Sequence, residues 1–316
     1  MFDAVSKGIF HGLARSRLLE RLASRYGMAT PDSFARRFIA GERIDEAIEV
    51  ARALERRGLT YTLDSLGESV QSLAQADAAT RDYLQIIQKV VDAGIGRNLS
   101  IKLSQLGLDI DRASCTDNLR RILDLAERHQ FFVRVDMEGS PHTAVTLDIF
   151  ETLWRQGYRH MGVVLQSCLI RSQQDMRRMT ALGASIRVVK GAYKEPKSVA
   201  YQKKAEVDGA FVRMTRYLLV EGRYPAIATH DPAMIEATRA CASEHHIASD
   251  RFEFQMLYGI RRDLQAALTR EGFGMRIYIP FGRQWFRYFM RRLGERPANI
   301  EFVLRGIFQE RPPNAA

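Results

Sequence analysis

Eight short segments rich in β-forming residues recur along this chain, each followed by a stretch with helical spacing. The first is "GLTYTLDSLGE" (58–68) and the second "NLSIKLSQLG" (98–107). Then come "FFVRVDMEGS" (131–140), "MGVVLQS" (161–167), "SIRVVKGAY" (185–193), "PAIATHD" (225–231), "FEFQMLYG" (252–259) and "MRIYIPFG" (275–282). Apolar residues at three- and four-residue intervals predict helices over 70–92, 116–129, 143–156, 171–182, 199–221, 231–246, 259–270 and 283–294. Thr116 is the N-cap candidate of the second of these, and Gly157, Gly183 and Gly222 fall where helices should stop. Strict strand–helix alternation calls for parallel strands with crossover helices, and eight such units close into a (β/α)8 TIM barrel. Ahead of it, residues 1–57 read as an N-terminal helical arm. In "RIDEAIEVARALERRG" (43–58), Ile44, Ile48, Ala51 and Leu54 share one stripe. The expected organisation is therefore an arm over 1–57 and a catalytic barrel over 58–316.

In such a barrel the chemistry sits at the C-terminal ends of the strands. Those ends carry Lys102, Asp136 and Glu138, Gln166, Arg187 with Lys190 and Tyr193, Thr229 with His230, Gln255, and Tyr278. Each has a structural reading by itself; their recurrence at one end of the fold is what points to a site. The histidines form no HxH or HExxH pattern, so a metal site is not expected. "GIGRNL" (94–99) and "GFGMRI" (272–277) precede strands rather than follow them and lack a third glycine, so they read as turns, not dinucleotide fingerprints. What remains is a cationic mouth of Lys102, Arg187, Lys190, Arg291 and Arg292, suited to an anionic ligand.

Composition narrows the partners. The formal charge is +10, with 46% apolar and 27% charged residues. Lys and Arg are spread along the whole length among Asp and Glu, so no dedicated nucleic-acid surface is expected. Three cysteines, Cys115, Cys168 and Cys241, stand far apart, which argues for a reducing, cytoplasmic compartment and for thiols used as small hydrophobes. No apolar run approaches the roughly 20 residues that span a bilayer. The Arg-rich N-terminus contains Asp3 and Glu20 and lacks a continuous apolar core, so it reads as a first helix rather than a targeting segment.

The motifs "SIKLSQLG", "VRVDMEGS", "VVLQS", "IRVVKGAYKEP", "ATHD", "FEFQMLYGIR", "RIYIPFG" and "YFMRRLGER" resemble, in order and spacing, those of the proline dehydrogenases, most of all the single-activity bacterial type. The likeness runs from about residue 35 to the C-terminus. It implies a distorted barrel holding FAD, with the last helix over the mouth, that oxidises L-proline to Δ1-pyrroline-5-carboxylate and passes electrons to a membrane quinone. Hydroxyproline or pipecolate is the alternative substrate; Tyr278 would crowd a ring hydroxyl and so favours proline. The resemblance implies cofactor contacts from Met137, Gln166, Arg187, Lys190, Gly191, Ala192, Thr229 and His230. It puts Asp136 beside Lys102 at the substrate, with Asp136 and Arg187 acting catalytically through charge and position. Tyr193, Leu257 and Tyr278 would wall the ring, and Arg291 and Arg292, oriented by Glu295, would hold its carboxylate. Glu68 is a candidate entrance gate to these arginines. Lys194 stands where larger fused enzymes tend to carry Trp, on the adenosine or ribityl side of the flavin. No aldehyde dehydrogenase or DNA-binding domain is legible, so a separate pyrroline-5-carboxylate dehydrogenase is expected downstream. Contact with the inner membrane face would be peripheral.

Overall fold

The computed structural model describes Met28, residues 33–67 and residues 69–295, with backbone alone for 34 and 291–295. Eight parallel strands close into a barrel in sequence order: β1 (Thr60–Ser65), β2 (Asn98–Ile101), β3 (Phe132–Val135), β4 (Met161–Gln166), β5 (Ser185–Val189), β6 (Ala226–Ala228), β7 (Glu253–Leu257) and β8 (Gly274–Phe281). The closing register aligns Thr62 with Tyr278 and Asp64 with Pro280. Helix α1 (Ile44–Glu55) precedes β1. Helices α2 (Leu73–Ala93), α3 (Arg112–Arg128), α4 (Ser140–Arg155), α5 (Ser172–Ala181), α6 (Lys204–Glu221), α7 (Pro232–Glu244), α8 (Arg262–Arg270) and α9 (Trp285–Glu295) follow the strands in turn.

Alternation along the strands divides the residues by chemistry. Leu63, Leu99, Ile101, Val133, Val135, Val163, Ile186, Val188, Ile227, Phe254, Ile277 and Ile279 are buried in one apolar core with helix residues such as Ile87, Leu119, Phe150 and Leu218. The opposite positions face into the barrel, where side chains from non-adjacent strands meet, and there they are mostly polar. Low in the barrel, Arg134 Nη1 on β3 donates to Ser185 O on β5 at 2.7 Å. Gly162 of β4, lying between them, permits this, because a Cβ there would strike the Arg134 guanidinium. Beside it, Glu253 accepts from Arg276 Nε at 2.7 Å and Nη2 at 3.0 Å.

Local chemistry moves some boundaries from their expected places. The predicted helix at 116–129 starts earlier, at Arg112, because Asp111 is its cap and accepts from Ser114 N at 2.6 Å. Thr116 instead turns its hydroxyl to Arg112 O. The second strand stops at Ile101, and Leu103–Leu106 form a 3-10 turn ending at left-handed Gly107. The helix expected from 199 begins at Lys204, since Ala200 is held in an antiparallel bridge with Leu169. Helix α1 buries Ala47, Ile48, Ala51 and Leu54. A second apolar cluster joins Phe38, Ile39 and Leu66 to Trp285, Phe286 and Phe289. Trp285 Nε1 also donates to Glu42 Oε1 at 3.0 Å. Helix α9 is thereby anchored at its start beside the C-terminal end of β1.

Candidate active site

Six side chains from five strands converge at the C-terminal end of the barrel. Asp136, just past β3, is the hub. Its Oδ1 accepts from Arg187 Nη1 of β5 at 2.8 Å, and its Oδ2 accepts from the Tyr278 hydroxyl of β8 at 2.7 Å. Arg187 Nη2 reaches Ser100 Oγ of β2 at 3.2 Å. Its guanidinium lies 5.5 Å from the Tyr278 ring centroid, a cation–π distance. Sequence alternation left the facing of Lys102 and Arg187 open; both are buried in the barrel interior.

Lys102 meets Asp136 less closely than expected. Its Nζ is 3.9 Å from Asp136 Oδ2, but only 2.7 Å from Asp64 Oδ1 and 3.4 Å from the Tyr278 hydroxyl. Asp64, on β1, was not among the expected site residues. The signal was present in "TLDS", where the carboxylate shares the inward face with Thr62. Burial alone would lower the Lys102 pKa; Asp64 and Asp136 outweigh it and hold the ammonium charged. Burial pushes Asp64 toward its protonated form, and Lys102 opposes that. The 2.7 Å contact is that of a charge-assisted pair. Burial, with Asp136 and Asp64 nearby, pushes the Tyr278 phenol well above its usual range, so it stays a proton donor. Glu138 lies behind, its carboxylate accepting from both Ser104 N and Ser104 Oγ.

A second group follows β4, β5 and β6. Gln166 is buried, and its Oε1 finds no partner among the described residues; neither does Arg187 Nε. Gly191, directly after Lys190, adopts φ +109°, and a Cβ there would overlap Cys168 Sγ. Lys190 Nζ is held by Asp208 of α6 and by Asp231, at 2.7 Å to its Oδ2. Thr229 Oγ1 accepts from Asp231 N at 3.1 Å. Leu257 N donates to His230 Nε2 at 2.9 Å, which leaves the ring proton on Nδ1. Met137 is buried, Leu257 half-buried, and Ala192 and Tyr193 exposed. Glu68 and the side chains of Arg291, Arg292 and Glu295 lie outside the described residues. The mouth expected to be cationic is charge-balanced at Lys102, Arg187 and Lys190, each of which faces a carboxylate.

Such a site sets two cations, two carboxylates and a phenol within contact of one another at the barrel mouth. It leaves an amide oxygen and a left-handed glycine beside it for a larger group with its own donors. The profile of one protein family, proline dehydrogenase, matches residues 47–305. Proline dehydrogenase 2 of Bacillus subtilis (strain 168) is 41% identical over 303 residues, 96% of this chain and 99% of that protein. Proline dehydrogenase of Deinococcus radiodurans is 43% identical over 281 residues, covering 88% of this chain and 91% of that protein. A crystal structure of proline utilization A from Bdellovibrio bacteriovorus, inactivated by N-propargylglycine, superposes with a TM-score of 0.78 at 28% identity. That match covers 89% of this chain but 34% of that one, so this chain spans about a third of the larger protein.

Proposed function

Because this chain belongs to the proline dehydrogenase family of oxidoreductases, we propose that it oxidises L-proline to Δ1-pyrroline-5-carboxylate, the first step of proline catabolism, with FAD as cofactor. The observation that carries this reading is Asp136, buried and held at 2.8 Å by Arg187 and 2.7 Å by Tyr278 at the barrel mouth. Members of this family are flavin-dependent in general. Residues of this chain fit such a group: the open Gln166 Oε1 and Arg187 Nε, and the glycine turn at Gly191. Bound FAD supplies the two-electron acceptor for the hydride leaving proline C5. Met137, Gln166, Arg187, Lys190, Gly191, Ala192, Thr229 and His230 would hold it.

Arg187 keeps a fixed positive charge where negative charge develops, and Asp136 keeps Arg187 from swinging away. Tyr278 presents its ring to the substrate while its hydroxyl keeps its proton and donates to Asp136 Oδ2. Tyr193 and Leu257 complete the wall, and Arg291 and Arg292, set by Glu295, take the carboxylate as a bidentate fork would. Glu68 would pair with those arginines when no proline is bound. The catalytic unit is the barrel from residue 58 onward, with residues 1–57 as an arm. Electrons pass to a membrane quinone through peripheral contact at the cytoplasmic face, where the net charge of +10 suits anionic headgroups. Among the described residues no helix is long and apolar enough to cross a membrane. A separate dehydrogenase consumes the product.

Purified protein should be yellow and lose that colour on anaerobic addition of proline. Hydroxyproline and pipecolate should reduce it far more slowly, because Tyr278 crowds the ring. A colourless protein, or a spectrum indifferent to proline, refutes the reading. Gly191→Ala should lower flavin content as well. The backbone at φ +109° resists a side chain by about 1–3 kcal/mol, and the added methyl collides with Cys168. The absorbance ratio of flavin to protein measures it, with wild-type occupancy as the contrary result.

A further inference from the structure

Asp64 has no part in the roles assigned above, yet it is among the most buried charges of the described residues, 1% exposed at the end of β1. One of its oxygens, Oδ2, finds no partner among the described residues. For stability alone, a wholly buried carboxylate with an idle oxygen is a poor choice, since a well-packed apolar residue of similar size is often as good or better. Its contacts point to a different use.

Lys102 Nζ stands between two carboxylates and sits nearer one of them, 2.7 Å from Asp64 Oδ1 and 3.9 Å from Asp136 Oδ2. That same Asp136 oxygen accepts the Tyr278 hydroxyl at 2.7 Å, and the hydroxyl is 3.4 Å from Lys102 Nζ. The ammonium is therefore within about an ångström of displacing the phenol from Asp136. Asp64 is what draws it the other way. The four charges cancel as they stand: Lys102 and Arg187 against Asp64 and Asp136. Neutralising Asp64 alone leaves a buried ammonium whose remaining carboxylate among these four is Asp136, already shared by Arg187 and Tyr278.

We propose that Asp64 is a positioning residue of the substrate site: by holding Lys102 it reserves Asp136 Oδ2 for the Tyr278 hydroxyl and so fixes the ring that walls the proline. This rests on the reading of the site as a proline pocket, and it concerns recognition more than the hydride step.

A double-mutant cycle separates this role from a general structural one. Asp64→Asn, Lys102→Met and the double variant would be assayed for proline oxidation with a soluble dye acceptor, alongside flavin content and thermal melting. Asp64→Asn is expected to raise KM for proline about tenfold while kcat stays within about threefold. In the Lys102→Met background the same change should alter KM by less than about twofold, because there is no ammonium left to misdirect. Losses that multiply in the double variant overturn the proposal, as does an unchanged KM in Asp64→Asn. If Asp64→Asn alone does not fold, the comparison of Lys102→Met with the double variant decides. A double variant that unfolds where Lys102→Met is folded makes Asp64 structural and the proposal wrong. A wild-type protein inert toward proline would instead refute the proline reading itself.

Discussion

Replacing Arg187 by methionine is expected to lower kcat/KM for proline by about a thousandfold. Arg187 bonds Asp136 at 2.8 Å and Ser100 at 3.2 Å, with its side chain 5% exposed. Methionine fills much of the volume but leaves Asp136 buried with the Tyr278 hydroxyl as its short donor. Breaking one partner of a buried pair costs about 3–5 kcal/mol. If most of that falls on the reacting state, the rate loss is of order a hundred to a thousandfold, at 1.36 kcal/mol per factor of ten. The loss of fixed positive charge beside the developing negative charge adds to it. Arg187→Lys should recover part of the rate, since it keeps the charge but not the two-pronged geometry toward Asp136 and Ser100. Arg187→Met combined with Asp136→Asn should regain thermal stability without regaining turnover, because charge balance returns but the positioning does not. Steady-state kinetics and melting curves on the same samples separate the two effects. A single variant within tenfold of wild type would remove Arg187 from the chemistry.

The barrel was legible because its signal is local and repeated. Apolar residues recur along the strands, glycines such as Gly94 and Gly183 take left-handed conformations past helix ends, and the expected stripe of α1 buries Ile48, Ala51 and Leu54, with Ile44 half-buried. Lys102, Asp136, Arg187 and Tyr278 were legible as strand-end polar residues. How they pair was not. The bonds that join Asp136 to Arg187 and Tyr278 run between strands that are not neighbours, and only closure of the sheet sets those distances. Asp64 escaped notice for a related reason. The first strand read as running on to Glu68, which drew attention past Asp64, whereas pairing with β8 ends at Ser65. The counter-charges of Lys190 come from α6 and the cap of α7, 18 and 41 residues away, and no spacing rule announces such a contact.

The polar interior extends below the site, and there the largest effect on stability is expected. Glu253 is 3% exposed at the start of β7 and receives both Nε and Nη2 of Arg276 from β8. Arg276 Nη1 in turn donates to Tyr61 O of β1 at 2.8 Å, so this one side chain ties the seam where the barrel closes. Glu253→Gln removes the counter-charge from Arg276 and weakens that available to Arg134, a guanidinium that burial pushes well below its usual pKa. The expected cost at pH 7 is about 3–5 kcal/mol. It should depend on pH in a defined sense. Burial would raise the Glu253 pKa, but Arg276 and the bond from Gln255 outweigh it, so the folded value lies below the ordinary 4.5. A group with a depressed folded pKa contributes its stability fully above the unfolded value and loses it as pH falls through the folded one. The gap between wild type and Glu253→Gln should therefore be constant above about pH 5, narrow below 4.5, and close at still lower pH. Urea midpoints measured across that range test the claim; equal midpoints at pH 7 would mean that the β7–β8 ion pair contributes nothing to holding the barrel shut.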